Sequence, residues 1–289
     1  MQIPTREEIA KFYGQAIERV LSRCSQLDEK EWGKKASKSD SHEWTAKDHL
    51  AHLTITYELE TVPLTKQALA GEPANIPGFA SRGDLKSFRD STLEQVRDVP
   101  VADLLSRLEA SMREEQGLLE GLTEADLDRP ANSPSWDAPG TVRDLFFAAY
   151  LFLPGQYQEI RSVSKKKMPH WIESSNPDQV HYHLDRVFHY MPLILNRDAA
   201  AEMEATYLFT MEGDGGGQWS VKIDRGKAEA LAGAADDPDS EIKTKPQLWM
   251  DLSNGQLNVP MAIATRKVKL GGSSPTLAMK LGGLFSAEG

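Results

Sequence analysis

Three observations on this chain of 289 residues predict an α+β protein of two domains. Apolar side chains recur at helical spacing as far as about residue 165 and alternate as in strands beyond about residue 204. Pro169-His170-Trp171 and Ser174-Ser175-Asn176-Pro177 punctuate the change between the two patterns. The chain is also longer than one typical domain, with enough residues for two cores. The expected organisation is an N-terminal all-α four-helix bundle over residues 1–165 and a linker over 166–177. A C-terminal α/β domain over 178–289, a five-stranded sheet with covering helices, completes it.

Each element has its own signal. Thr5 with Glu8 three residues later is a capping box, and Ile9, Phe12, Tyr13, Ala16, Ile17, Val20, Leu21 and Cys24 follow at helical spacing. A second helix starts at Thr45 and carries Leu50, Leu53, Tyr57, Leu59 and Val62 on its apolar side, with a kink or break at Pro63. The stretch from Gly71 to Gly83 is a loop, because two prolines and three glycines deny it regular structure. Asp84 opens a short helix through Phe88, Leu93 and Val96. Pro100 stands near the start of a strongly amphipathic helix with Leu104, Leu105, Leu108, Met112, Leu118, Leu119 and Leu122. Asp126 to Gly140 reads as a loop. Thr141 then caps the last long helix, and four such helices make a bundle.

Beyond the linker, Asp178 to about Tyr190 is helical. Two strands, Ala205 to Met211 and Trp219 to Ile223, flank Gly213-Asp214-Gly215-Gly216-Gly217 as a hairpin. That glycine-rich turn leads into no helix and has no P-loop lysine, so it is no phosphate loop. Further strands are expected at Lys227 to Leu231, Ser240 to Thr244 and Arg266 to Leu270. Helices are expected at Pro246 to Asn254 and Pro275 to Phe285.

Charge and cysteine content exclude several functions. A formal net charge of -10 opposes nucleic-acid binding, which needs a basic surface, and works against electrostatic adsorption to anionic lipid. The basic run Lys165-Lys166-Lys167 is short and reads as a solvated helix end. Cys24 is the single cysteine, which excludes an intramolecular disulfide and a cysteine-rich zinc site. It falls on the apolar side of the first helix and is expected to be a buried, inert thiol. No run reaches the roughly 18 apolar residues of a transmembrane segment, and the polar N-terminus lacks the apolar core of a signal peptide. The expected compartment is the cytoplasm.

The C-terminal residues carry a recognisable order of features. Trp219-Ser220-Val221-Lys222-Ile223 comes first, followed by Pro238-Asp239 before a strand. Trp249, Leu252 and Gly255 then stand at three-residue steps, followed by Met261-Ala262. Lys267-Val268-Lys269-Leu270-Gly271-Gly272 and a final Leu284-Phe285 close the series. Residues 178–289 thus resemble the SCP2 sterol-carrier family along their whole length, with Arg266 where relatives often carry glycine. The resemblance implies an apolar tunnel between sheet and helices that binds sterols, fatty acyl chains or acyl-CoA without a cofactor. Leu252, Leu257, Met261, Ile263, Leu277, Met279, Leu281 and Leu284 are the candidate lining residues, with a filled core as the competing reading. Methionine suits a lining that repacks around different guests.

The stretch Trp44-Thr45-Ala46-Lys47-Asp48-His49-Leu50-Ala51-His52-Leu53 resembles the second helix of DinB-like four-helix bundles. That resemblance implies a divalent metal (zinc, nickel or iron), with His52 as first ligand and two more on a later His-x-x-x-His or Glu-x-x-x-His helix. The corresponding helix here, Thr141 to Val163, contains no histidine. Aligning Phe152-Leu153-Pro154-Gly155-Gln156-Tyr157-Gln158-Glu159-Ile160 with it places Phe152 and Gln156 at the two ligand positions. A phenyl ring cannot coordinate, and a neutral amide is a poor ligand for a transition metal. The site is therefore expected to be degenerate, with no cofactor. His52 is its one surviving candidate ligand, hydrogen-bonded instead to Gln156 or Glu159.

His49 is expected on a different line of the helix and His42 in an exposed loop. Pro154 is expected to disturb the last helix. His181 and His183 point roughly 200° apart on a helix, so they and His170 and His189 make no metal cluster. Glu114-Glu115 and Asp236-Asp237 are expected to be solvated.

A DinB-like bundle followed by an SCP2-like domain is also the arrangement of mycothiol-dependent maleylpyruvate isomerase and its relatives. That resemblance implies an alternative function, a metal-dependent isomerase or transferase using a low-molecular-weight thiol. The missing ligands rank it behind binding or carrying of a hydrophobic small molecule or lipid. A scaffold without ligand ranks third. No catalytic residue is assigned, since no hydrolase signature occurs. In the leading reading the bundle serves as lid, second wall or dimerisation module, and a homodimer would form through it.

Overall fold

The structure is a computed structural model that describes residues 1, 3–36 and 43–285. His42, expected in an exposed loop, lies outside the described residues. The chain divides into two compact units, one of Pro4–Trp171 and a second beginning at Ile172. No helix among the described residues is long and apolar enough to cross a membrane.

The first unit is helical. It runs through α1 (Arg6–Cys24), α2 (Glu29–Trp32), α3 (Ala46–Thr56), α4 (Val62–Ala70), α5 (Leu85–Val96), α6 (Val101–Glu120), α7 (Glu124–Leu127) and α8 (Val142–Arg161). α1 and α3 each pack against both α6 and α8, which is the square of a four-helix bundle. Capping boxes at Thr5, Thr45 and Thr141 start α1, α3 and α8, so these three helices begin at the residues their sequences mark. Cys24 is fully buried, and burial pushes its thiol up to about 12.

Three local features differ from the expectation. The second helix does not simply break at Pro63, because a π-helical turn over Tyr57–Thr61 joins α3 to α4 and sets Pro63 in the first turn of α4. Proline has no N–H to donate back to Leu59, and Val62 instead donates five residues back to the carbonyl of Tyr57. Leu59, two residues beyond Tyr57 and so on the other side of the helix, is 40% exposed and does not join the apolar stripe. α8 runs through Pro154 without a break. The stretch from Asp126 to Gly140 is not all loop, since β1 (Pro130–Ala131) pairs with β2 (Gly140–Thr141) just before α8.

Residues 166–171, expected as linker, are built into the bundle. Met168, His170 and Trp171 are buried. The backbone N–H of Trp171 donates to Gln158 Oε1 at 3.1 Å, and the indole meets the ring of Tyr157 at 5.2 Å.

The second unit opens with α9 (Pro177–Tyr190), capped by Asn176. A five-stranded sheet follows in the order β5-β4-β3-β6-β7, formed by β3 (Glu204–Met211), β4 (Gly217–Asp224), β5 (Lys227–Ala232), β6 (Ser240–Thr244) and β7 (Lys269–Gly271). β3 and β6 are parallel and the other pairs antiparallel. Alternate residues Tyr207, Phe209, Met211, Trp219, Val221, Ile223 and Ile242 turn to one face and form the core with Leu184 and Phe188 of α9. α10 (Pro246–Ser253), α11 (Val259–Ala264), a 3₁₀ turn over Pro275–Lys280 and α12 (Leu281–Leu284) complete the unit.

β7 is shorter than the expected strand. Arg266 adopts a left-handed φ of 56°, and the N–H of Lys267 turns back to the carbonyl of Ala262. Residues 266–267 therefore close α11, a helix the sequence pattern does not reveal, and the strand begins only at Lys269.

The hairpin turn between β3 and β4 requires its glycines. Gly215 has φ 73°, and a Cβ placed there would lie 2.3 Å from the carbonyl oxygen of Pro177. Gly215→Ala is expected to destabilise the second unit by roughly 2–4 kcal/mol, through steric overlap added to a strained φ. Urea unfolding measures this directly, and an unchanged midpoint would mean that the turn moves away from α9 without cost.

Candidate functional site

Two places hold the residues singled out by the sequence. The first lies in the bundle between α3 and α8. The N-cap of α3 is fixed by reciprocal bonds, Thr45 N–H to Asp48 Oδ2 at 2.8 Å and Asp48 N–H to Thr45 Oγ1 at 3.2 Å. That register puts His49 and His52 three residues apart, and side chains at this spacing are neighbours on a helix. Both rings are buried, and each meets the ring of Trp44 edge-on at 5.2 Å. His49 thus shares the face of His52, contrary to the expectation of separate lines. Its Nδ1 lies 3.0 Å from Gln156 Oε1, so His49 takes the amide contact expected of His52. The ring of His52 stands edge-on to Phe152 at 5.3 Å, and its Nδ1 is 3.5 Å from Thr56 Oγ1.

The three positions aligned from sequence, 52, 152 and 156, therefore converge. Their chemistry does not suit a metal. The ring facing His52 has no lone pair to give, and the neutral amide oxygen of Gln156 is engaged with His49. Among the described residues no three His, Cys, Asp or Glu side chains come together as a metal site. Around this cluster, Arg89 of α5 lies over the ring of Trp44 at 5.9 Å, a weak cation–π contact. Glu60, in the π-helical turn, is half-buried. Desolvation pushes its carboxyl up to about 7, against the opposing pull of the Ser135 hydroxyl and Arg89. Of the linker histidines, His170 and His183 are buried and His181 is exposed.

Sequence reasoning missed Glu115. Far from solvated, it is fully buried on α6, where Thr65 Oγ1 donates to its Oε1 at 2.7 Å. Desolvation pushes its carboxyl up to about 8. Nearby, the hydroxyls of Tyr13 and Tyr57 are 3.1 Å apart, and Tyr57 donates onward to the carbonyl of Ala149 at 2.8 Å. The signal was present in the sequence, since Glu115 falls three residues after Met112 and four before Leu119, inside the buried stripe of α6.

The second place is the apolar interior of the second unit. Leu284 belongs to the buried core, while Leu252, Leu257, Ile263, Leu277 and Leu281 are partly buried and pack against it. Met261 and Met279 stand apart, 60% and 51% exposed. The interior also contains an aromatic stack. Phe188 lies against Trp219 at 4.9 Å and Trp249 at 5.8 Å, with Phe209 edge-on to Trp249 at 5.1 Å. The indole of Trp219 donates to Asp185 Oδ1 at 2.6 Å. That of Trp249 is buried and meets no acceptor among the described residues.

These two units match two known families. Residues 12–152 fit the model of the DinB superfamily, and residues 193–286 fit that of the SCP-2 sterol transfer family. The chain is a DinB-type bundle joined to an SCP2-type domain. The crystal structure of the mycothiol-dependent maleylpyruvate isomerase is similar over 86% of this chain and 88% of that one, with a TM-score of 0.57 and 11% identity. A histidine-to-alanine mutant of that enzyme gives a TM-score of 0.57 at 10% identity over the same shares. The solution structure of the sterol carrier protein domain 2 of Helicoverpa armigera covers 40% of this chain and 94% of that one. Its identity is 22% and its TM-score 0.33. No curated protein matches the chain. At these identities the likeness to the isomerase is one of fold.

Proposed function

We propose that the SCP2-type domain takes up a hydrophobic guest, a sterol, fatty acyl chain or acyl-CoA, between the inner face of its sheet and the covering elements. One observation carries this reading. Leu252, Leu257, Ile263, Leu277 and Leu281 pack against the core yet stay partly open. Full burial of such a side chain is worth roughly 1.5–3 kcal/mol, so a finished core closes over it. A wall that awaits a guest leaves part of that area uncovered. The unmatched N–H of Trp249 favours a guest that carries a hydrogen-bond acceptor, since a buried donor left unpaired costs free energy.

Protein purified under gentle conditions is expected to carry such a guest. Native mass spectrometry would register the added mass, and organic extraction would recover a sterol or acyl chain. An unloaded spectrum together with an empty extract would overturn the reading.

The alternative, a thiol-dependent isomerase or transferase, is supported by the fold shared with mycothiol-dependent maleylpyruvate isomerase over most of both chains. It ranks second because the two ligand positions beside His52 hold a phenyl ring and an amide. In the leading reading the DinB-type bundle carries no metal, and no catalytic step is assigned to it.

A further inference from the structure

Two helix ends meet at one end of the bundle. Arg143, near the start of α8, donates to the carbonyl of Pro4 just before α1, and the two helices pack together. They therefore run in the same direction. Near their carboxyl ends, the guanidinium of Arg19 lies over the ring of Trp171 at 4.4 Å and donates to its carbonyl at 3.1 Å. Trp171 in turn meets Tyr157 of α8, whose hydroxyl donates to the carbonyl of Pro169 at 2.8 Å. Arg23 stands one turn beyond Arg19, and Arg161 one turn beyond Tyr157, each on the same side of its helix. Three guanidinium groups thus gather about the buried rings of Tyr157 and Trp171. Desolvation pushes the Tyr157 phenol up to about 12, and the charges of Arg23, Arg19 and Arg161 all pull against it.

Like charges gathered in this way repel. Desolvation lowers the Arg19 guanidinium, the phenols of Tyr150 and Tyr157 oppose this, and the charge of Arg23 adds to the fall. Arg23 and Arg161 are half-buried as well, yet their guanidinium groups make no hydrogen bond or ion pair with another described residue. The Nε of Arg161 is also shut off from water. Carboxylates close by in the sequence are engaged elsewhere, Glu18 with Arg113, and Asp28 and Glu31 with Lys167. A cation at a helix end gains from the helix dipole, but one exposed side chain per helix suffices for that. Three half-buried cations together, in a chain of net charge -10, call for an anion.

We propose that Arg19, Arg23 and Arg161 bind the phosphoryl group of a small phosphate monoester. A guanidinium presents a planar fork of N–H donors that matches phosphate oxygens. A phosphoryl dianion offers three strong acceptor oxygens, one for each arginine, whereas a carboxylate brings a single charge. Inorganic phosphate carries the same group, and the test separates the two sources. The site is confined to the bundle and does not rest on the guest reading.

The test is calorimetric titration of the full chain with glycerol 3-phosphate, inorganic phosphate and acetate at low salt. Glycerol 3-phosphate should bind at least as tightly as inorganic phosphate, acetate only slightly, and binding should weaken as salt is raised. Arg161→Gln and Arg23→Gln should each weaken glycerol 3-phosphate by about tenfold or more. Lys86→Gln, which removes a cation already paired with Asp90, should change nothing. Urea unfolding supplies a readout that a merely structural role would not move. Without phosphate, Arg161→Gln should unfold at the same urea concentration as wild type or a higher one, because a like charge is gone. Added glycerol 3-phosphate should raise the midpoint of the wild type and leave that of the variant in place.

A wild type that neither binds glycerol 3-phosphate nor gains stability from it would overturn the proposal, as would acetate bound equally well or arginine variants that bind like wild type. Binding of inorganic phosphate alone would overturn the monoester. A variant that unfolds at lower urea and still responds to glycerol 3-phosphate would show that the arginines only brace the helix ends.

Discussion

Phe152→Glu combined with Gln156→His is expected to turn the bundle into a metal-binding protein. The two positions are four residues apart on α8 and share a face. Across from them, the ring of His52 already stands 5.3 Å from that of Phe152, and His49 lies 3.0 Å from the amide of Gln156. Replacing phenyl by carboxylate and amide by imidazole brings two donors of the right kind to His52, and zinc needs three such ligands with one open position. Both positions on α8 are half-buried, so an ion can reach them. Affinity for zinc should rise by at least about a thousandfold, from millimolar or weaker to micromolar or tighter. Elemental analysis should find about one equivalent in the double variant and none in the wild type. Adding His52→Ala should remove it. A folded double variant without metal would show that position 52 is not preset for coordination, and metal that survives His52→Ala would place the site elsewhere. Stoichiometric zinc in the wild type would restore the thiol-dependent reading.

What the sequence reveals of this site depends on which physical rule is local. The capping threonines Thr5, Thr45 and Thr141 fix helix starts within a few residues, so α1, α3 and α8 were legible and with them the facing of 52, 152 and 156. The π-helical turn before Pro63 was not, because its cause, a missing donor, is visible while the way the chain absorbs it depends on packing. α11 escaped because six residues of Val-Pro-Met-Ala-Ile-Ala show no period. His49 was misplaced by treating three residues as a change of face, although a helix sets such neighbours side by side. The lining residues split for a reason composition hides. Leu252 and Met261 are equally apolar, and only the path of the cover decides that one packs inward and the other faces solvent.

Glu115→Gln is expected to stabilise the bundle, by an amount that grows with pH. Glu115 is fully buried on α6, where desolvation, with a smaller contribution from Glu114, raises its carboxyl from 4.5 to about 8. The hydrogen bond from Thr65 on α4 and the charge of Lys66 offset only part of that rise. Tyr13 of α1 and Tyr57 of the π-helical turn add hydroxyls and no cation, and burial pushes both phenols up as well. Below the unfolded value both states are protonated, and the group costs nothing in charge. As pH rises through the interval the unfolded chain releases its proton first, so the wild type loses about 1.4 kcal/mol per pH unit until the folded value is passed. Glutamine keeps the shape and the bond from Thr65 but does not titrate. The gap between variant and wild type should therefore widen by roughly 2–3 kcal/mol from about pH 5 to about pH 7. Glu60, with its carboxyl pushed up to about 7, contributes to both proteins alike and cancels in the difference. Urea unfolding across that range provides the measurement, and parallel stability curves would mean that Glu115 is ionised or hydrated inside the bundle. A carboxyl kept neutral in this way also removes a negative charge from the core at neutral pH, so the four helices close around an uncharged pair of tyrosines and an uncharged acid.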